Sequence, residues 1–338
     1  MKSILQWIAG FICLLFAGAL PARADVALLL EEPFGHFGAL NPTGHAAIYL
    51  NRVCADSPTE LRRCEPGEVG VVISRYHHVA GRDWLAIPLV AYLYAVDTAA
   101  EIPAEADRAT EASLRDAYRR QHLRELIPDG EDGKMPGGEW IQLVGSSYDR
   151  KIYGFQIETS ETQDDDLIRM MNARSNRAHF NLLFRNCADF SRSILNFYFP
   201  KSIGRNYLAD SGIMTPKQAA KSLVKYSKTN RDLEFSTFII PQVRGSIHRS
   251  TSPDGVIESL VKSKKYVLPL VAWHPYVAGG LVAAYFTGGR FNPAKNATIF
   301  DAAKLTGAAE PSTTPAVATG IVSFGEEPVS RQATVGTE

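Results

Sequence analysis

The chain has 338 residues, of which 45% are hydrophobic and 21% charged, enough apolar material for one large domain or two smaller ones. Its 36 Lys and Arg balance 36 Asp and Glu without a basic stripe, so nucleic-acid binding has no electrostatic support. No internal repeat is present.

In chain order, the first predicted element is a secretory signal. Lys2 supplies the positive start, residues 4–20 are apolar, and Ala22-Arg23-Ala24 is a cleavage site, giving a signal peptide over 1–24 that takes Cys13 with it. The mature chain is therefore expected to be exported, periplasmic or extracellular, in a compartment that permits disulfides. Residues 34–44 are turn-rich and run into His45-Ala-Ala-Ile-Tyr-Leu50, a strand with His45, Ala47 and Tyr49 on one face and Ala46, Ile48 and Leu50 on the other. Residues 69–76 predict a second, β-branched strand, antiparallel to the first. Cys54 and Cys64 flank the polar loop between them, and a bridge closing that loop is expected.

Residues 87–96 form an apolar run that belongs in the core, and residues 110–126 predict a charged surface helix ended by the glycine-rich loop 128–138. Residues 140–144 and 151–157 predict strands. Thr162 predicts an N-cap for a helix reaching about Ala173, which makes Asp164, Asp165 and Asp166 helix-capping residues, not metal ligands. The run Phe180-Asn-Leu-Leu-Phe-Arg-Asn-Cys-Ala-Asp-Phe190 predicts an extended stretch that becomes an amphipathic helix at Cys187. Phe190, Ile194, Leu195 and Tyr198 recur at helical spacing, Cys187 shares their buried face, and Pro200 stops the helix.

Residues 266–287 are apolar and long enough to span a bilayer, but contain Pro269, His274, Pro275 and Gly279-Gly280. Three lysines precede the segment, Lys262, Lys264 and Lys265, against Arg290 and Lys295 after it, the reverse of the bias a returning span would need. A span, a surface-lying or broken amphipathic helix and a buried core hairpin remain open. From 301 to 338 the composition predicts a disordered tail.

A pairing of Cys54 with Cys64 leaves Cys187 alone; a bond from Cys187 to either would end its candidacy as a nucleophile. At a helix start its thiol is expected to be acidic, because first-turn amides and the helix dipole favour thiolate. A thiolate nucleophile needs a base within hydrogen-bond reach, and His45, following Gly44 at a strand start, is the best-placed histidine. His36 could line the entrance. His77-His78, if on a strand, point to opposite faces and do not form a metal pair. No zinc spacing, G-x-S-x-G elbow or phosphate-binding glycine loop is present, and no cofactor is expected.

Gly44-His45-Ala46-Ala47-Ile48-Tyr49-Leu50, followed much later by Phe180-Asn-Leu through Asn186-Cys187 to Phe190, resembles the circularly permuted papain-like thiol enzymes, which include NlpC-type cell-wall peptidases and the lecithin:retinol acyltransferase group. The resemblance covers roughly residues 34–199. It implies an α+β fold in which an antiparallel sheet packs against the cysteine-bearing helix, here followed by a helical, apolar C-terminal extension. It also implies that Cys187 attacks a carbonyl, that His45 is base and then acid, and that the Cys187 amide helps hold the oxyanion. A third, orienting residue would lie on the strand antiparallel to that of His45; Ser74 is the first candidate, with Tyr76 and His77 also fitting.

The expected organisation is a signal peptide over 1–24, a catalytic domain over 25–240, an extension over 241–300 and a tail over 301–338. The expected activity is that of a cysteine hydrolase or acyltransferase taking a cell-wall peptide or a lipid acyl substrate, with membrane-surface contact through 266–287. A non-catalytic envelope scaffold of the same fold is the alternative.

Overall fold

The computed structural model describes residues 24–35, 42–130, 133–177 and 180–300. Most of the expected signal peptide, including Cys13, together with His36 and the expected tail over 301–338, lies outside these residues.

The elements are β1 (Ala24–Glu31), β2 (His45–Leu50), β3 (Val53–Ser57), β4 (Glu60–Arg63), β5 (Val71–Ser74), β6 (Leu85–Pro88), α1 (Leu89–Tyr94), α2 (Arg108–Tyr118), α3 (Ser146–Asp149), β7 (Ile152–Thr159), α4 (Glu161–Ala173), α5 (Cys187–Tyr198), α6 (Pro216–Thr229), β8 (Phe235–Ile240), α7 (Val256–Lys262), α8 (Lys264–Trp273), α9 (Pro275–Ala284) and β9 (Thr298–Ile299). Seven strands form one sheet in the order β6-β5-β2-β1-β7-β8-β9, antiparallel throughout except for the β8–β9 pair.

Strand alternation sends the apolar residues of β1 and β2 to two separate cores. Leu28, Leu30, Ala46, Ile48 and Leu50 pack with Phe190, Ile194 and Leu195 of α5 and with Leu223 of α6. Ala27, Leu29 and Ala47 pack on the other side with α1 residues and with Trp140, Leu143 and Tyr148. Both faces are thus covered, and a fully buried leucine such as Leu28 or Leu30 contributes about 1.5–3 kcal/mol.

The expected antiparallel pairing of β2 with β5 is present, with Ile48 opposite Ile73 and Leu50 opposite Val71. The intervening segment is not a plain polar loop. It folds into the β3–β4 hairpin, clasped by the Cys54–Cys64 disulfide and pinned to α4 through Asn172, whose side chain bonds the backbone of Leu61 in both directions.

Four local expectations are corrected. Residues 140–144 are not a strand: Trp140, Leu143 and Val144 are buried at helical spacing, and Glu139–Gln142 forms a 3-10 turn. Helix α4 starts two residues earlier than expected, because Ser160 and Gln163 form a reciprocal capping box. Its aspartates are engaged within the protein, Asp164 by the Tyr198 hydroxyl at 2.7 Å, Asp165 by Arg63 and Asp166 by Arg169. The charged helix α2 buries Arg115, and Arg119 just beyond its end is buried too; Arg115 bonds the Val144 and Gly145 carbonyls with Glu111 and Asp149, and Arg119 the Ile127 carbonyl with Asp116 and Asp129. Finally, the stretch before Cys187 is a tight turn, not an extended strand. Asn181 Oδ1 takes the Leu183 amide at 2.9 Å, and a backbone bridge joins Asn181 to Arg185, leaving Leu182, Leu183 and Phe184 exposed.

The apolar segment 266–287 is a broken helical pair, α8 and α9. Pro275 supplies no N–H and restricts His274, which takes a non-helical conformation between them. Trp273 and Tyr276 are 80% and 93% exposed, so a buried core hairpin is excluded. Among the described residues no helix is long and apolar enough to cross a membrane.

Candidate active site

Helix α5 begins at Cys187 because Asn186 caps it. Asn186 Oδ1 accepts the Asp189 amide at 3.0 Å, Asp189 reaches back to the Asn186 amide, and Asn186 Nδ2 donates to the carbonyls of Leu182 and Met214 at 3.0 Å each. The cap therefore joins the preceding turn, the helix and the loop ahead of α6. Cys187 is a free, half-buried cysteine, since Cys54 and Cys64 are bonded to each other.

The expectation of an acidic thiol is overturned. Burial pushes the Cys187 pKa up to about 11, and the lowering by the backbone amides of Ala46, Ala188 and Cys187 itself does not compensate. A helix start acidifies a sulfur that water or a cation also reaches; here the sulfur is packed among Ala46 and its apolar neighbours.

His45 opens β2 directly opposite Glu31 of β1. Gly44 precedes it with φ of 74°, and a Cβ there would lie 2.1 Å from the Glu31 carbonyl oxygen, so only glycine lets the chain enter the strand this close. Ser74, at the end of β5, donates its hydroxyl proton to the Ala46 carbonyl at 2.8 Å and lies 2.9 Å from His45 Nε2. A hydroxyl has one proton, so Ser74 must accept from Nε2–H, which assigns the unprotonated nitrogen to Nδ1. Tyr76 stacks on the imidazole with ring centroids 5.1 Å apart.

A buried polar group supports this ring. Glu31, with no solvent exposure, accepts hydrogen bonds from Tyr92 and from Ser146 at 3.1 Å, and pairs with Arg150 at 3.1 Å. Arg150 in turn lies over the Phe34 ring, 4.4 Å from its centroid. Burial lowers the His45 pKa to about 4; Glu31 acts to raise it and Arg150 to lower it, so their fields oppose each other. Burial thus favours the neutral imidazole of His45 and the neutral thiol of Cys187.

Cys187 and His45 are both linked to the backbone of Ala46. Its N–H acts on the Cys187 sulfur, and its carbonyl holds the serine that holds His45. The sulfur packs with the apolar cluster containing Ala46, whereas the His45 ring stacks on Tyr76 of the opposite cluster. Among the described residues no hydrogen bond runs directly between the two side chains.

Of the three candidates for the orienting position, Ser74 bonds His45 and Tyr76 stacks on it, while His77 packs on Phe180 at 5.0 Å and on His78 at 3.8 Å. His77 and His78 lie beyond the end of β5, so the expected alternation to opposite faces does not apply to them. The sequence reading missed Glu31, Tyr92, Ser146 and Arg150. Only Glu31 left a local signal, an acid directly after the apolar run over residues 26–30. Cys54, Cys64 and Glu68 also converge, but the two sulfurs are bonded to each other and offer no ligand set. A cleft of about 660 Å³ lined by Tyr49, Asn51, Glu68 and Phe238 contains none of the candidate catalytic residues.

No family profile and no curated protein matches this chain. Among solved structures, the crystal structure of a type VI secretion system effector, TseH, aligns over 64% of this chain and 93% of its own, at 10% identity and a TM-score of 0.28. The fold assignment accordingly stands on the strand order and helix packing described above. The chain is an α+β protein whose mostly antiparallel sheet packs against a cysteine-bearing helix, an architecture consistent with the papain-like fold.

Proposed function

We propose that the chain is an exported, cysteine-dependent hydrolase or acyltransferase that cleaves an amide or ester through an acyl-thioenzyme at Cys187. The observation that carries this reading is the Ser74–His45 hydrogen bond, which presents Nδ1 as the basic nitrogen on the strand that meets the Cys187 helix start. His45 Nδ1 takes the thiol proton as sulfur attacks the substrate carbonyl, and the amides of Cys187 and Ala188 hold the oxyanion. The imidazolium then protonates the leaving amine or alkoxide. Water or a second acceptor, deprotonated by the same nitrogen, releases the acyl group. Because the resting pair is neutral, proton transfer accompanies attack instead of preceding it.

The substrate is a cell-wall peptide amide or a lipid ester. The exposed apolar side chains of Leu268, Trp273, Tyr276 and Phe286 favour a membrane-surface contact through 266–287, and with it the lipid ester. The neutral, buried pair also gives ground for a second reading, a non-catalytic envelope scaffold that retains the fold.

An acyl thioester probe separates the two. Labelling of Cys187 that falls about 100-fold in His45→Gln supports the enzyme, since a general base contributes on that order. No labelling of the wild type under reducing or oxidising conditions leaves the scaffold.

A further inference from the structure

The outward side of α5 forms a second concavity, distinct from the buried thiol. A pocket of about 410 Å³ is lined by Arg75, Arg174, Arg185, Arg192 and Arg205, with Asp189 and Phe184 among its walls. In a chain whose charges balance overall, five guanidinium groups converge here. Two carboxylates offset them: Asp189 pairs with Arg205, and Asp83 lies 2.7 Å from Arg75. Among the described residues no carboxylate pairs with Arg174, Arg185 or Arg192, so three positive charges remain in excess.

Three of the five are held in place by the fold. Arg75 lies 5.4 Å from the Phe190 ring centroid, Arg205 lies 5.8 Å from that of Phe184 and donates to the Gly212 carbonyl at 2.6 Å, and Arg192 donates to the Ile203 carbonyl at 3.3 Å. Arg75 Nε is buried with no hydrogen-bond partner, a donor left without an acceptor at the pocket wall. Arg174 and Arg185 are exposed at the rim. Like charges brought together this way repel, and a bound polyanion removes the repulsion.

We propose that this pocket binds a phosphoryl group carrying two or more negative charges. A single carboxylate would leave most of the excess unneutralised, whereas guanidinium forks match phosphate oxygens bidentately. Phe184 lines the pocket and is exposed, as are Leu182 and Leu183 just before it in the chain, so a phosphate attached to an apolar chain has a surface for both parts. Arg75 directly follows Ser74 and Asp189 lies two residues after Cys187, so the pocket and the candidate active site are built on the same two chain segments. The inference does not depend on Cys187 being a nucleophile.

The test uses the mature chain with two probes at low ionic strength: inorganic pyrophosphate by calorimetry, and phosphatidylcholine vesicles with and without phosphatidic acid by flotation. Binding to either probe is expected, and the Arg174→Gln/Arg185→Gln double variant should weaken it at least about tenfold. Among the described residues neither side chain makes a hydrogen bond or ion pair, so the double variant should keep the wild-type melting temperature, and Arg231→Gln, exposed elsewhere, should leave binding unchanged. Binding to pyrophosphate identifies a soluble phosphate source, and binding only to phosphatidic acid vesicles a lipid headgroup. Binding to neither probe, or binding that the double variant does not weaken, overturns the proposal.

Discussion

Ser74 Oγ lies 2.9 Å from His45 Nε2 while giving its own proton to the Ala46 carbonyl 2.8 Å away. One buried serine thereby sets both the orientation and the tautomer of the histidine, and it does so from a neighbouring strand whose register is fixed by Ile48 opposite Ile73.

Replacing Ser74 by Ala removes both hydrogen bonds at a position without solvent exposure, so a destabilisation of about 1–3 kcal/mol is expected in urea unfolding. An unchanged unfolding midpoint would mean that Ser74 does not hold the ring.

The low pKa of His45 makes stability depend on pH. Its folded value of about 4 lies below the ordinary 6.5, so between these values the unfolded chain binds more protons and stability falls as the solution is acidified. At about 1.4 kcal/mol per pH unit, the full window costs about 3 kcal/mol. Comparing wild type with His45→Gln at pH 7 and pH 4.5 isolates this contribution; parallel losses in the two proteins would refute it.

Burial raises the Cys187 thiol to about 11, so its alkylation by iodoacetamide should keep rising through pH 9, by about tenfold per unit, instead of levelling off near neutrality. The sign for stability is the reverse of that for His45: ionisation of the unfolded thiol first destabilises the protein above pH 9. Peptide mapping of the labelled product reads the rate, and a plateau by pH 8 would show a preformed thiolate.

Glu31→Gln keeps the size of the side chain but removes the charge that pairs with Arg150, whose side chain is 3% exposed. Leaving that guanidinium buried without its carboxylate should cost about 3–5 kcal/mol. Glu31→Gln/Arg150→Met removes both charges, and a double variant more stable than Glu31→Gln is the expected signature of the pair.

Much of the local architecture near the site was legible. Alternation marked His45–Leu50 as a strand, the spacing of Phe190, Ile194, Leu195 and Tyr198 marked the helix from Cys187, and Cys54 and Cys64 paired as expected. These features depend on periods of two and 3.6 residues and on short loops, so nearby residues carry them. The turn at 181–185 was misread because its apolar residues suggested a strand, although the Asn181 side chain offers the backbone a competing hydrogen bond. Residues 140–144 were misread because so short a run fits either period until burial shows which side chains face inward.

The sequence by itself determined which residues could do chemistry: a cysteine at a helix start, a histidine at a strand start, and Ser74 among the candidates on the adjacent strand. Only the tertiary structure decided their state. Glu31 of β1, Tyr92 of α1, and Ser146 and Arg150 at the two ends of α3 come from three separate segments to meet beside His45, and the apolar packing around Ala46 turns an expected acidic thiol into one with a raised pKa. Desolvation is set by every neighbour in space, whereas capping and alternation are set by a few neighbours along the chain; the first therefore had to be seen in three dimensions and the second did not.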